Sequence, residues 1–174
     1  MKAKRARKDA RKTTRKAPAV TLVVEDEGWR KDPAMLRLIR RAARLALDHA
    51  PRRARSATLL LTGDKRVREL NRQFRGKKKA TNVLSFVSHD PSYWGDVAIA
   101  LGVLQSEARE QGKTVAAHAA HLTIHGILHL KGYDHARVAD RASMEEAEII
   151  ILSRLGLSDP YAPHPYTRSA KAVN

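Results

Sequence analysis

A chain of 174 residues with 43% hydrophobic content has the size of one domain with one core, so a single functional site is sought. It contains no cysteine, which excludes disulfide scaffolds, thiolate zinc sites, iron–sulfur clusters and cysteine nucleophiles; any metal must be held by nitrogen and oxygen. The formal net charge of +16 favours a polyanionic partner, nucleic acid foremost, because each neutralised phosphate releases condensed counterions.

The chain opens on MKAKRARKDARKTTRK, nine cations against Asp9 alone. Residues 1–17 hold too little apolar surface to offset the entropy of ordering and are expected to form a disordered basic arm. They lack both the apolar face of an amphipathic targeting helix and the hydrophobic core of a secretory signal. No apolar stretch approaches the roughly 18 to 20 residues of a membrane span, so a soluble, cytoplasmic protein without membrane contact is expected.

The body, residues 18–157, begins with a β-branched run at 20–24, read as a strand. Asp32 and Pro33 have the form of an N-cap and a first helical residue, and start a helix to about residue 50. On it Leu36, Ile39, Ala43 and Leu47 make the apolar stripe. Arg37, Arg40, Arg41 and Arg44 recur on another face, either as a solvated surface or as a track for an RNA backbone. Residues 57–62 read as a second strand, and Asp64 as the cap of a short helix bearing Val67, Leu70 and Phe74. Segments 82–88 and 96–101 read as two further strands. Helices are expected at 103–112, closed by Gly112, at 115–130, and at 141–155, ending at Gly156, with a tight segment at Gly132 between the last two. Residues 158–174, with Pro160, Pro163 and Pro165 and no helical period, are expected to be a flexible tail. The order defines an α/β (α+β) domain, one small mixed sheet of about four strands packed with helices.

Five of the eight histidines lie in HAAHLTIHGILHLKGYDH, residues 118–135. One helical turn separates His125 from His129, so both imidazoles project from the same face and can reach one ion. Gly132 can take a positive φ that ends the helix and returns His135 toward that ion. Three neutral imidazoles at ~2.0–2.1 Å would hold one Zn²⁺ per chain and leave a fourth position open, as catalytic sites do. His118 lies about 16 Å along the axis from His129, too far to share the ion, and is read as ordinary surface. His121 is read either as supporting the ligands from behind or as buried and hydrogen-bonded, and Asp134 as orienting a ligand imidazole or ordering the turn. The spacing is that of the metzincin peptidases, H-E-x-x-H-x-x-G-x-x-H, but Gly126 stands where their general base would be.

The segment HLTIHGILHLKGYDH resembles the signature of the YbeY family of bacterial endoribonucleases, which act in ribosomal RNA maturation and ribosome quality control. The family pattern H-G-x-L-H-L-x-G-Y-D-H is met in full from His125 to His135. Residues 70–86 (LNRQFRGKKKATNVLSF), 95–100 (GDVAIA) and 144–156 (MEEAEIIILSRLG) resemble further blocks, so the likeness spans most of the chain from about Val20 to Gly156. It implies a zinc-dependent, single-strand-preferring endoribonuclease that processes the 3′ end of 16S rRNA. Single-stranded RNA and the ribosome or its small subunit would be partners, with no small-molecule cofactor.

The resemblance also places Arg75 on an arginine of functional importance. On physical grounds a guanidinium stays charged at any relevant pH and grips phosphate oxygens in pairs, which suits it to phosphodiester cleavage. Lys77, Lys78 and Lys79 beside it, with Arg37, Arg40 and Arg44, are the candidate RNA contacts. Thr81 and Ser85 could line the cleft or serve structure, and Asp96 has the same two readings. Where the family usually has aspartate after the threonine this chain has Asn82, and the long basic arm is not part of the family core. Two other classes stay open: a non-catalytic, ribosome-associated RNA-binding assembly factor with structural zinc, and a zinc peptidase. The nucleophile is either water or the RNA 2′-hydroxyl.

Overall fold

The computed structural model describes residues 19–49 and 55–162; the basic arm and the end of the tail lie outside the described residues. Strand β1 (Val20–Val24) leads through a 3₁₀ turn (Glu27–Lys31) into helix α1 (Pro33–Asp48). The Asp32 carboxylate accepts from Met35 N at 2.9 Å, so the Asp-Pro start reads as sequence predicts. The 3₁₀ turn is not signalled by periodicity. Asp26 caps it, and Trp29 within it is fully buried, with its indole donating to the Thr62 carbonyl at 3.1 Å.

Next come β2 (Ser56–Thr62), α2 (Asp64–Arg75), β3 (Val83–Val87), β4 (Tyr93–Ala100) and three helices, α3 (Leu101–Glu110), α4 (Val115–Leu130) and α5 (Val138–Ser153). The sheet order is β1-β2-β4-β3. Strands β1, β2 and β4 run parallel, and β3 lies antiparallel to β4 at the edge. The α/β (α+β) class with one four-stranded mixed sheet is therefore what the structure shows.

Strand alternation sends Val97 and Ile99 of β4 into the large core with Ile39, Ala43, Ile124 and Leu128, and sends Ala98 and Ala100 to the other face, under Val67 and Leu70 of α2. Helices α1 and α4 thus cover one face and α2 the other. Helix α4 is apolar on almost all sides because α1, α3, α5 and the sheet all pack on it.

Two expectations about α2 need correction. Asp64 does not cap it: Gly63 is the N-cap, and the Asp64 carboxylate accepts from Val103 N at 3.1 Å, serving the first turn of α3 instead. A Cβ at Gly102 would meet Asp64 Oδ2 at 2.4 Å, so that approach needs glycine. Phe74, on the apolar side by spacing, packs on Phe86 of the edge strand β3 and is 59% exposed.

Candidate metal centre

The sequence builds the site on α4, against which α1, α3, α5 and the sheet all pack. Thr114 caps α4, accepting from Ala117 N at 3.2 Å, and the buried side chains of the helix fix its rotation, leaving the stripe of His121, His125 and His129 less covered. At its end Tyr133 N donates to the Leu128 carbonyl and Gly132 N to that of His129, both at 3.0 Å. Gly132 adopts φ +90°, which is why glycine stands there; a Cβ would meet nothing within 4 Å, so the constraint is conformational. Asp134 accepts from the backbone N–H of His135 at 2.7 Å. That bond orders the turn, and the Asp134 carboxylate also acts electrostatically on the His129 imidazole.

His125, His129 and His135 each bring one ring nitrogen to a common point, the three lying within 4.8 Å of one another. Their hydrogen bonds show whether a cation fits there. The Tyr133 carbonyl is an acceptor only, so His129 Nδ1, at 3.0 Å from it, carries the proton. His125 Nδ1 faces Glu148 Oε1 at 2.8 Å and likewise donates. Both Nε2 atoms are then bare lone pairs, and they face each other at 3.1 Å with no hydrogen to share. Two ligands at ~2.05 Å in tetrahedral geometry would stand ~3.3 Å apart. The donor set thus fits a divalent cation. Burial, then the neighbouring His125 and His135, hold the His129 imidazole below its ordinary pKa, which keeps its lone pair free at neutral pH.

Glu148 of α5 organises the histidines and was missed in the sequence. It is fully buried, and its second oxygen accepts from His121 Nε2 at 3.0 Å and from the Tyr161 hydroxyl. Burial pushes its carboxyl up, but the donors His121, His125 and Tyr161 outweigh that and hold it at about 2. His121 is therefore hydrogen-bonded to the same carboxylate that holds His125. Tyr161 belongs to the segment read as flexible tail; residues 158–162 are described, and its ring meets that of His121 edge-on at 5.7 Å. His118 is a correction: it is 3% exposed, with Nε2 2.8 Å from Glu107 Oε2, because α3 covers the first turns of α4. The Asn82 amide nitrogen also donates to both Glu107 carboxylate oxygens, at 3.1 and 2.9 Å. A carboxylate at 82 would face that of Glu107, so asparagine suits this neighbourhood.

An open cleft of about 630 Å³ joins the triad to Arg75, Asn82, Ser85 and Val87. Arg75 donates to the Ser85 carbonyl at 3.4 Å, reaching round the sheet edge from the end of α2. Lys77, Lys78 and Lys79 are exposed in the adjoining connection, whereas Arg37, Arg40 and Arg44 are exposed on α1 and do not line the cleft. Ser85 Oγ donates to the Gly126 carbonyl at 3.0 Å, a structural role, and Asp96 accepts from Tyr93 on the opposite sheet face. A Cβ at Gly126 would sit 2.5 Å from Val97 Cγ1. A side chain at the position of the peptidase base would have to displace the buried Val97, so glycine suits the packing of α4 on the sheet.

An α/β domain with a helix-borne imidazole triad open to a basic cleft defines a protein that can hold a metal and act on an anionic substrate. A family model described as Endoribonuclease YbeY matches residues 24–156. The Endoribonuclease YbeY of Maricaulis maris is 44% identical over 146 residues, covering 82% of this chain and 91% of the relative. That of Azorhizobium caulinodans is 43% identical, over 82% and 96%, and that of Nitrosomonas europaea is 56% identical over 93 residues, 53% of this chain and 57% of the relative. A solution structure from Thermotoga maritima shares the fold, with TM-score 0.53 and 21% identity over 86% of this chain and all of that one. The chain belongs to the Endoribonuclease YbeY family.

Proposed function

We propose that this chain is a zinc-dependent, single-strand-preferring endoribonuclease that matures ribosomal RNA at the 16S 3′ end and serves ribosome quality control in the cytoplasm, on the ribosome or its small subunit. One observation supports the metal above all: two imidazoles of fixed tautomer turn bare nitrogens on each other at 3.1 Å. Among the described residues no helix is long and apolar enough to cross a membrane.

His125, His129 and His135 would hold the ion, which when bound supplies Lewis acidity and acidifies water at the cleft. Glu148 and the Tyr133 carbonyl fix the two helical rings so that their donors need no reorganisation. Arg75, across the cleft, binds the scissile phosphate and stabilises the charge that builds on its oxygens. The lysines at 77–79 hold the flanking backbone without reading bases.

Arg75→Ala is expected to keep its full metal content while the rate of RNA cleavage falls about 10²- to 10³-fold. Arg75→Lys should recover little, since an ammonium cannot grip two oxygens. Metal analysis beside a cleavage assay on labelled single-stranded rRNA fragments reads both quantities. RNA binding that persists with no cleavage, with or without zinc, would instead make the chain a non-catalytic assembly factor.

A further inference from the structure

We propose that Phe74 is a base-stacking subsite, holding an unpaired nucleobase of the RNA strand next to the phosphate bound by Arg75. This rests on the nuclease reading and adds to it a residue that touches a base.

Edge strand β3 places the two side by side. Its even-numbered residues turn their backbone groups inward to β4, as in the Ala100 N to Asn82 O and Ser88 N to Trp94 O bonds. Odd-numbered residues turn theirs to the open edge, where Arg75 takes the Ser85 carbonyl at 3.4 Å. Val87 borders the cleft at this edge and is 60% exposed. Phe74 precedes Arg75 at the end of α2, and its ring stands on Phe86 at 5.1 Å and 63°. That contact supports it from behind and fixes its attitude, yet 59% of the residue faces solvent.

Phe74 is a large ring left bare beside Arg75, and charge identifies what covers it. Arg75 follows it in the chain, and Lys77, Lys78 and Lys79 come next in the connection to β3, all exposed. Lys65, Arg68, Arg72 and Lys78 border a groove of about 440 Å³ on the outer side of α2, and among the described residues none of these four is in an ion pair. An apolar protein partner would have to desolvate those cations, whereas a single strand satisfies them with phosphates and offers its bases to the ring. A base inside a duplex has both faces covered by its stacked neighbours, so the subsite also accounts for a preference for single strands.

The full chain is titrated in EDTA, so that RNA stays intact, with labelled single-stranded and double-stranded RNA of equal length over a series of salt concentrations. Cleavage is followed in parallel with zinc present. Phe74→Ala is expected to weaken single-strand binding about tenfold with an unchanged salt slope, since no phosphate contact is lost. Phe74→Trp restores it, and duplex binding does not change. Arg75→Ala, by contrast, should lower the salt slope by about one. Because Phe74 is exposed, its truncation leaves the core intact, which thermal melting confirms. If wild type binds and cleaves RNA while Phe74→Ala binds single strands equally well, or loses duplex affinity to the same extent, the subsite is overturned alone. If wild type binds no RNA, the nuclease reading falls and takes the subsite with it.

Discussion

Replacing His125 or His129 by alanine is expected to abolish stoichiometric zinc binding and to lower RNA cleavage by roughly a thousandfold or more, equivalent to several kcal/mol at 1.36 kcal/mol per decade. Each change removes one of two nitrogens that stand 3.1 Å apart with locked tautomers, and leaves a bidentate remnant. The fold should survive, because both rings lie on the less covered stripe of α4 while Ile124, Ile127 and Leu128 hold the helix in the core. His135→Ala should be milder for affinity: that ligand is exposed on a turn, and the rigid helical pair remains. Elemental analysis after dialysis, together with cleavage rates, distinguishes these outcomes. A His129→Ala protein that retains zinc and rate would show that the ion sits elsewhere.

Glu148→Gln is expected to reduce zinc affinity about 10- to 100-fold while Arg75 and the three ligands stay in place. A carboxylate accepts from His121 and His125 at once, at 3.0 and 2.8 Å; an amide has one acceptor oxygen and must turn its NH₂ on the other ring. His125 then loses the partner that fixes its tautomer. Tyr161→Phe should cost less, because it removes one of the donors to Glu148 and leaves both imidazoles bonded. The acid profile of the metal-free protein provides a second readout. Folded, the Glu148 carboxyl titrates at about 2, against an ordinary value of 4.5, so the unfolded chain takes up the proton first. Its stabilisation is complete above about pH 4.5, fades as the pH falls toward 2 and is gone below that. Denaturant melts should show wild type losing on the order of a few kcal/mol across this window and Glu148→Gln losing less.

The parts of the site that lie within one helix and its turn were legible in the sequence. His125, His129 and His135 are fixed relative to each other by 3.6 residues per turn and one glycine, and no tertiary information is needed to see them converge. Glu148 lies 23 residues from His125, and only the packing of α5 on α4 brings it there. Helical spacing puts Glu148 on the stripe of Met144, Ala147, Ile151 and Leu152, a signal that could have found it, though not which histidines it meets. His118 was misread for the converse reason: its surroundings come from α3 and Glu107, which helical spacing does not encode. Phe74 fits the apolar period of α2, yet it packs on Phe86 of the edge strand, beyond which no further strand covers it. In the fold, alternation and caps placed the strands and most helix starts. The 3₁₀ turn around Trp29 escaped because five residues are too few to show a period.

Zinc K-edge absorption spectroscopy on the protein loaded with one equivalent of zinc tests the metal centre most directly. The expected spectrum has three imidazole nitrogens at ~2.0–2.1 Å and one light-atom ligand that exchanges with added anion. A closed shell of four protein side chains, or zinc held with fewer than three imidazoles, would contradict it.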